Sequence, residues 1–377
     1  MPKPATMTTE PLDNPHSSHF WSEDHFRVML CRERKRSERS RKPLLLMLID
    51  GKGATGRKAD KALMQRLSRV LCTTMRETDL AGWFESNEVL GAIFTELGST
   101  NIAQATQIIE EKISAEFRKV LKPAELSHFQ FSFYAFPEGW EGDGRRRSIN
   151  PALYPDLLEF EKKNKISLLT KRGMDIMGSL FALVLFSPFF LVLSIWIKLT
   201  SDGPVFFRQE RVGQYGVPFL FLKFRSMRMQ TDASIHKDYV RKFIAGQAAS
   251  SQENGKQSAV YKITNDPRVT WIGRIMRRTS LDELPQFWNV LKGEMSLVGP
   301  RPPIPYEAEA YDVWHRRRLL EAKPGITGLW QVRGRSRTTF DEMVRLDLHY
   351  SKTWSPMLDV KILLQTPRAV LSGDGAY

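Results

Sequence analysis

The chain reads as an α+β protein in which a small α/β sandwich domain precedes a larger, membrane-associated domain. Three observations predict this. From residue 43 onward, apolar runs of strand length alternate with stretches of helical periodicity. Residues 177–197, MGSLFALVLFSPFFLVLSIWI, carry no charge, reach the length of a membrane helix and are interrupted by Ser187-Pro188. Between these regions, EGWEGDGRRRSINPALYP supplies Gly, Pro and charge without periodicity, which marks a linker.

Composition bounds the rest. With 377 residues, 42% hydrophobic and 11% aromatic, the chain can build two cores, and global disorder is excluded. The 56 Lys and Arg outweigh the 42 Asp and Glu by 14 charges, which favours nucleic acid, an anionic membrane surface or phosphorylated substrates without choosing among them. Cys31 and Cys72 lack metal-ligand spacing and cannot form a disulfide framework, so a reducing, cytosolic setting fits. The first forty residues have no apolar h-region, and no secretory signal peptide is expected.

Taken in order, residues 1–42 end in the basic run CRERKRSERSRK; an electrostatic tether to lipid or RNA is the alternative, but the stretch reads as a solvated, poorly ordered leader, to which no site is assigned. Residues 43–140 form the accessory domain. LLLMLID is a strand, Ala62 to Met75 a helix, VLGAIF a strand, Ala103 to Leu121 a helix and FQFSFYAF a strand, giving the order β-α-β-α-β. Within it, TDLAGWFESNEVLGAIF resembles the signature region of GGDEF (diguanylate cyclase) domains. The signature positions fall on Glu85, Ser86, Asn87, Glu88 and Val89, so four of the five residues are replaced. The glycines that admit a nucleotide phosphate are gone, and Asn87 is no carboxylate for a metal. The resemblance implies a degenerate, non-cyclising domain; an unrelated α/β accessory domain is the alternative.

Residues 141–156 are the linker, and 157–377 the second domain. Leu157 to Leu169 alternates basic and apolar residues as an interfacial helix does. In the apolar segment, taken as 173–199, Pro188 predicts a kink, and the Ser187 hydroxyl can serve backbone freed at the break. Lys171 and Arg172 precede it; Lys198, Arg208, Arg211, Lys223, Arg225 and Arg228 follow. Positive charge at both ends suits a helix that enters, breaks and returns, although length alone also allows a span.

Downstream, SLDELPQFWNVLKGEMSLVGPRP sets two adjacent carboxylates, Asp282 and Glu283, after Arg268, Arg274, Arg277 and Arg278 and before Lys292 and Arg301. Positive charge keeps a carboxylate ionised. By itself an Asp-Glu pair is more often an ion-pair cluster favouring a helix start. Here it is one of several ordered motifs: KRGMDIMGSLFALVLFSPFFLV, SDGPVFFRQERVGQYGVPFLFLKFRSMR, NDPRVTWIGRIMRRTSLDELPQFWNVLKGEMSLVGPRP and KPGITGLWQVRGRS. Together they resemble the bacterial sugar transferase family, the monotopic phosphoglycosyl transferases, from about Lys171 to Tyr377. The tail from DEMVRLDLHYSKTW onward resembles the members that start exopolysaccharide or capsule repeat units.

The resemblance implies transfer of a sugar 1-phosphate, glucose or galactose expected, from a UDP-sugar to undecaprenyl phosphate at the cytoplasmic face of the bacterial inner membrane, with release of UMP. It favours the re-entrant helix. It implies Asp282 as nucleophile, forming an acyl-phosphate intermediate, and Glu283 as a ligand for Mg²⁺. Arg277 falls where the family holds phosphate, and Arg301 is a second candidate. Lys223 and Arg225 join the phosphate-binding candidates, and Gln331 and Arg335 are placed at the nucleotide. Gly299, Pro300, Gly325 and Gly328 read as turn formers. Trp271, Trp288, Trp314, Trp330 and Trp354 are candidates for the headgroup layer, some of them core. Residues 229–258 read as a mobile excursion near the active site. The partners expected are UDP-sugar, undecaprenyl phosphate and the lipid bilayer, with a homodimer left open and nucleic acid excluded, since no binding motif is present. The rival reading is a catalytically silent membrane scaffold or regulator of polysaccharide assembly.

Overall fold

The computed structural model describes residues 20–51, 60–97, 101–126, 128–137, 150–157, 159, 164–227, 241–244, 251–253, 256–258, 269–333 and 338–371. These divide into two compact units, one comprising 1–139 with 152–156 and the other 140–151 with 157–377.

In the first unit the elements run β1 (Phe20–Trp21), α1 (Glu23–Ser40), β2 (Leu44–Asp50), α2 (Lys61–Thr74), β3 (Leu80–Glu85), β4 (Val89–Phe94), α3 (Ile102–Arg118) and β5 (Gln130–Phe136). The sheet order is β1-β3-β4-β2-β5, antiparallel except for the β1-β3 pair. Asp60 and Asn101 cap α2 and α3 by accepting from Ala62 N–H and Ala103 N–H. Met64, Leu67 and Leu71 of α2 and Ile113 and Phe117 of α3 then close over Leu45, Met47 and Ile49 of β2. The leading run LLLMLI does not alternate because β2 is covered on both faces.

The second cover is α1, which corrects the expectation of a disordered leader over residues 20–42; residues 1–19 lie outside the described residues. Phe26, Leu30, Arg34 and Ser37 recur on one face of this helix and are buried. Phe26 packs on the cross-strand pair Gly82 and Gly91, where a Cβ would come within 2.8 and 2.5 Å of its ring. The linker expectation is corrected as well: residues 152–156 belong to the first unit. Arg34 donates to the Leu153 carbonyl at 2.8 Å and grips Asp156 through both oxygens at 3.0 and 3.1 Å, while its guanidinium lies over the Tyr154 ring. Residues Glu85–Val89 form the β3-β4 turn, with Asn87 in the left-handed region at φ 60°. Ser86 donates both its N–H and its hydroxyl to Glu23 of α1.

The second unit mixes helix and sheet. Helix α4 (Lys165–Leu185) and helix α5 (Ser187–Thr200) meet at a bend of 59°. No single helix among the described residues is long and apolar enough to cross a membrane. Pro188 lies in the first turn of α5, where its missing N–H is tolerated. Ser187 Oγ donates to the Val184 carbonyl at 2.8 Å, the acceptor that a residue at 188 would otherwise serve. The pair buries Asp175, Ser179 and Ala182, then Leu193 and Ile197. It leaves Met177, Phe181, Val184, Leu191 and Leu199 between 66 and 78% exposed. Asp175 holds α4 to the unit by accepting from Ser296 Oγ and Leu297 N–H, both at 2.9 Å. Lys171 adds a 2.6 Å ion pair to Asp359.

Around this pair stand a hairpin of β6 (Phe206–Val212) and β7 (Pro218–Phe224), helices α6 (Trp271–Thr279) and α7 (Gln286–Lys292), and the parallel strands β8 (Ser296–Val298) and β9 (Gly325–Thr327). Helices α8 (Leu329–Arg333), α9 (Phe340–Thr353) and α10 (Pro356–Leu371) follow, with short helices at Pro305–Glu309, Val313–Arg316 and Arg318–Glu321 before β9. Leu193 and Ile197 of α5 pack with Phe224, Ile272, Met276 and Leu284, which ties the bent pair to the elements carrying the acidic dyad. Of the tryptophans, Trp271 and Trp288 are exposed, whereas Trp330 is a core residue.

Candidate active site

The dyad is positioned by how α6 begins and ends. Thr270 caps α6 by accepting from Gly273 N–H, and Gly273 lies so close to the Ser226 carbonyl that any side chain there would overlap it. The start of the helix is thus pressed onto the segment leaving β7. At its end Ser280 turns into the left-handed region at φ 58° and closes the helix. The 3₁₀ turn Leu281–Glu283 follows at once, which tucks Asp282 inward at 6% exposure and leaves Glu283 half-buried.

Lys223, near the end of β7, meets both carboxylates. Its Nζ lies 2.8 Å from Glu283 Oε1 and 3.9 Å from Asp282 Oδ2. Arg277, on the last turn of α6, donates from Nε to Ser226 Oγ at 3.1 Å, which fixes its guanidinium beside the same strand end. Lys223, Arg277, Asp282 and Glu283 therefore come from three elements, β7, α6 and the 3₁₀ turn, against which Leu193 and Ile197 of α5 pack. Two carboxylates beside a lysine and an arginine can attack, neutralise or bind an anhydride's phosphates.

Arg225, one of the expected phosphate ligands, has its guanidinium engaged by backbone. It is buried, and donates to the Asp202 carbonyl at 2.7 Å and to the Ser201 carbonyl and hydroxyl at 2.7 and 2.9 Å. Its guanidinium secures the chain leaving α5. Arg301 is half-buried in the VGPRP loop, where its carbonyl accepts from Arg318 at 3.1 Å. That loop and KPGITG are stitched together: Gly299 N–H donates to Thr327 O and Gly325 N–H to Pro300 O, each at 2.8 Å. Gln331, on α8, donates to the Ile326 carbonyl at 3.3 Å. Arg335, Arg228, Arg268 and most of 229–258 lie outside the described residues.

One contributor went unread in the sequence. Asn289 of α7 is fully buried; it accepts from Leu222 N–H at 3.1 Å and donates to Leu220 O and to Glu294 Oε2, both at 2.7 Å. It pins the backbone of β7 just before Lys223. The signal was an amide inside the apolar run FWNVL, where an unpaired polar side chain would be costly.

A divalent cation is compatible with this donor set in a limited way. No group of three or more His, Cys, Asp or Glu able to hold a metal occurs among the described residues. Mg²⁺ needs only one or two carboxylates when substrate phosphates and water complete its shell, and Asp282 with Glu283 offers that.

The model of the bacterial sugar transferase family matches residues 166–373, more than half of the chain. The chain belongs to the bacterial sugar transferase family. The sugar transferase region is 45% identical over 210 residues to a galactosyl transferase, CpsE, of Streptococcus agalactiae, covering 55% of this chain and 44% of that protein. It is 44% identical to an undecaprenyl-phosphate galactose phosphotransferase of Salmonella typhimurium over 55% of this chain and 41% of that one. The exopolysaccharide production protein ExoY of Rhizobium meliloti is 37% identical over 62% of this chain and 98% of its own length. The chain thus spans under half the length of the first two relatives. Among solved structures, a DGC protein from Thermotoga maritima aligns at TM-score 0.25 and 14% identity, over 32% of this chain and 85% of that one, too slight a likeness to support an assignment.

Proposed function

We propose that this sugar transferase moves a hexose 1-phosphate, glucose or galactose, from a UDP-sugar to undecaprenyl phosphate, releasing UMP, as the first membrane step of exopolysaccharide, capsule or O-antigen synthesis. The observation that carries the reading is the inward Asp282 with Lys223 reaching it and Glu283 together. An Asp282 carboxylate oxygen attacks the β-phosphorus; the bond from that phosphorus to the bridging oxygen breaks, and UMP leaves with the electron pair. Undecaprenyl phosphate then attacks the aspartyl phosphosugar through a phosphate oxygen and frees the carboxylate. Lys223 and Arg277 neutralise the charge gathering on the transferred group. Glu283 would help hold a Mg²⁺ ion, which would supply further charge stabilisation at the diphosphate. Attack on a lipid-borne acceptor requires the site at a membrane surface. The 59° bend and the exposed apolar side chains of α4 and α5 support a pair that dips into the cytoplasmic leaflet and returns.

The test is UMP release from a panel of UDP-sugars by the detergent-solubilised full chain with undecaprenyl phosphate and Mg²⁺. Release with one donor, abolished by chelator and by Asp282→Asn, is expected. A folded protein releasing UMP from no donor would instead favour the silent scaffold.

A further inference from the structure

The basic run that opens the chain is a fixed surface. Arg32, Lys35, Arg36 and Arg39 are all exposed on α1 and recur at i, i+3, i+4 and i+7, so they share one face. That face is opposite the one formed by Phe26, Leu30 and Ser37, which is buried against the sheet. Exposed Arg41 and Lys42 extend it past the helix end, and Val28, 51% exposed, adds an apolar side chain to it. The acidic residues of the basic stretch, Glu33 and Glu38, are half-buried at its flanks, where Glu33 pairs with Arg36 at 3.6 Å and Glu38 lies 3.9 Å from Arg34.

The helix itself is held rigidly. Glu23 takes two hydrogen bonds from Ser86, Arg27 donates to the Phe84 carbonyl at 3.1 Å, Phe26 fills the space over Gly82 and Gly91, and Arg34 grips Asp156. A disordered basic tail would lose entropy on meeting a polyanion; this face is already ordered.

We infer that the outer face of α1 docks on an anionic lipid surface. Six exposed cations in one short stretch, with an exposed valine among them, fit a sheet of anionic headgroups, and such clusters on a helix are drawn to acidic leaflets. The inference rests on the reading of the second unit as membrane-embedded: a tethered first unit meets the same leaflet at high effective concentration, which makes many weak contacts sufficient. Docking gives the first unit a role that needs no nucleotide chemistry.

The experiment uses the full chain in lipid nanodiscs of phosphatidylcholine alone or with phosphatidylglycerol, reading acetylation of individual lysines by mass spectrometry. Lys35 and Lys42 lie on the basic face; Lys61, which opens α2, and Lys119, just past the end of α3, are exposed on the side of the sheet that those helices cover and serve as internal references. Docking predicts that Lys35 and Lys42 react at least about threefold more slowly in the anionic discs, that 1 M salt, with a screening length of about 3 Å, restores them, and that the references do not move. Equal rates in both discs, in protein that co-elutes with them, would overturn the inference while leaving the embedded second unit intact. Protection by an added RNA oligonucleotide in zwitterionic discs, with none from anionic lipid, would overturn it in favour of a nucleic-acid face. Protein eluting apart from both discs would remove the membrane reading and this inference with it.

Discussion

Lys223 is the residue on which the site turns, because one ammonium faces both carboxylates. Replacing it by Met removes a positive charge from the transferred phosphate and should lower kcat for UMP release by about 10²-fold, the scale of losing one charge-stabilising donor. KM for the UDP-sugar should change much less. A comparable rise in KM with kcat unchanged would mean that Lys223 binds ground state and transition state alike. The dyad itself was legible in the sequence because Asp282 and Glu283 are neighbours inside an ordered set of motifs. Arg225 was less legible for an equally physical reason: sequence gives a side chain's charge but not what its donors already hold, here the carbonyls of Ser201 and Asp202. Asn289 was missed because its partners, Leu220 and Leu222, are distant in sequence.

At the level of elements, the break between α4 and α5 was written in two adjacent residues. Pro188 cannot donate to the Val184 carbonyl, and Ser187 does so in its place. Pro188→Ala returns an N–H to that carbonyl and should straighten the pair. Spin labels at its two ends would then move apart toward the 1.5 Å rise per residue of a continuous helix. An unchanged distance would show that packing of Leu193 and Ile197, not the proline, sets the bend. Helix α1 was hidden for the opposite reason. Its buried face holds only two large apolar residues, Phe26 and Leu30, with Arg34 and Ser37 completing it, so charge masked the periodicity. The first and third strands of the sheet were also unread, β1 because it has two residues and β3 because LAGWFE was taken only as signature context. The strands and helices that were found had either unbroken apolar runs or strong helical spacing.

Across the whole molecule, stability should carry a pH signature from a buried pair in the second unit. Arg318 Nη2 lies 2.7 Å from Asp347 Oδ2, and both side chains are 1% exposed. Burial raises Asp347 from 3.8 to about 6, against the opposing pull of Arg318. A folded-state value above the unfolded one means the folded protein holds this proton more tightly. The contribution is therefore complete below about pH 4 and lost as pH rises through about 6. Thermal melts of wild type and Asp347→Asn should accordingly differ by an amount that changes between pH 4 and 6.5 and is steady above. A constant difference across that range would reject the shifted proton. The division into two domains was visible in composition, since Gly, Pro and charge interrupt both periodicities, but where the first unit ends was not.

That ending is set by Arg34. Because it fastens Leu153 and Asp156 to α1, residues 152–156 belong to the first unit although they follow the place where composition changes. A fragment cut after β5 would leave this buried guanidinium without its carbonyl and carboxylate and should be less stable than one that runs through Asp156.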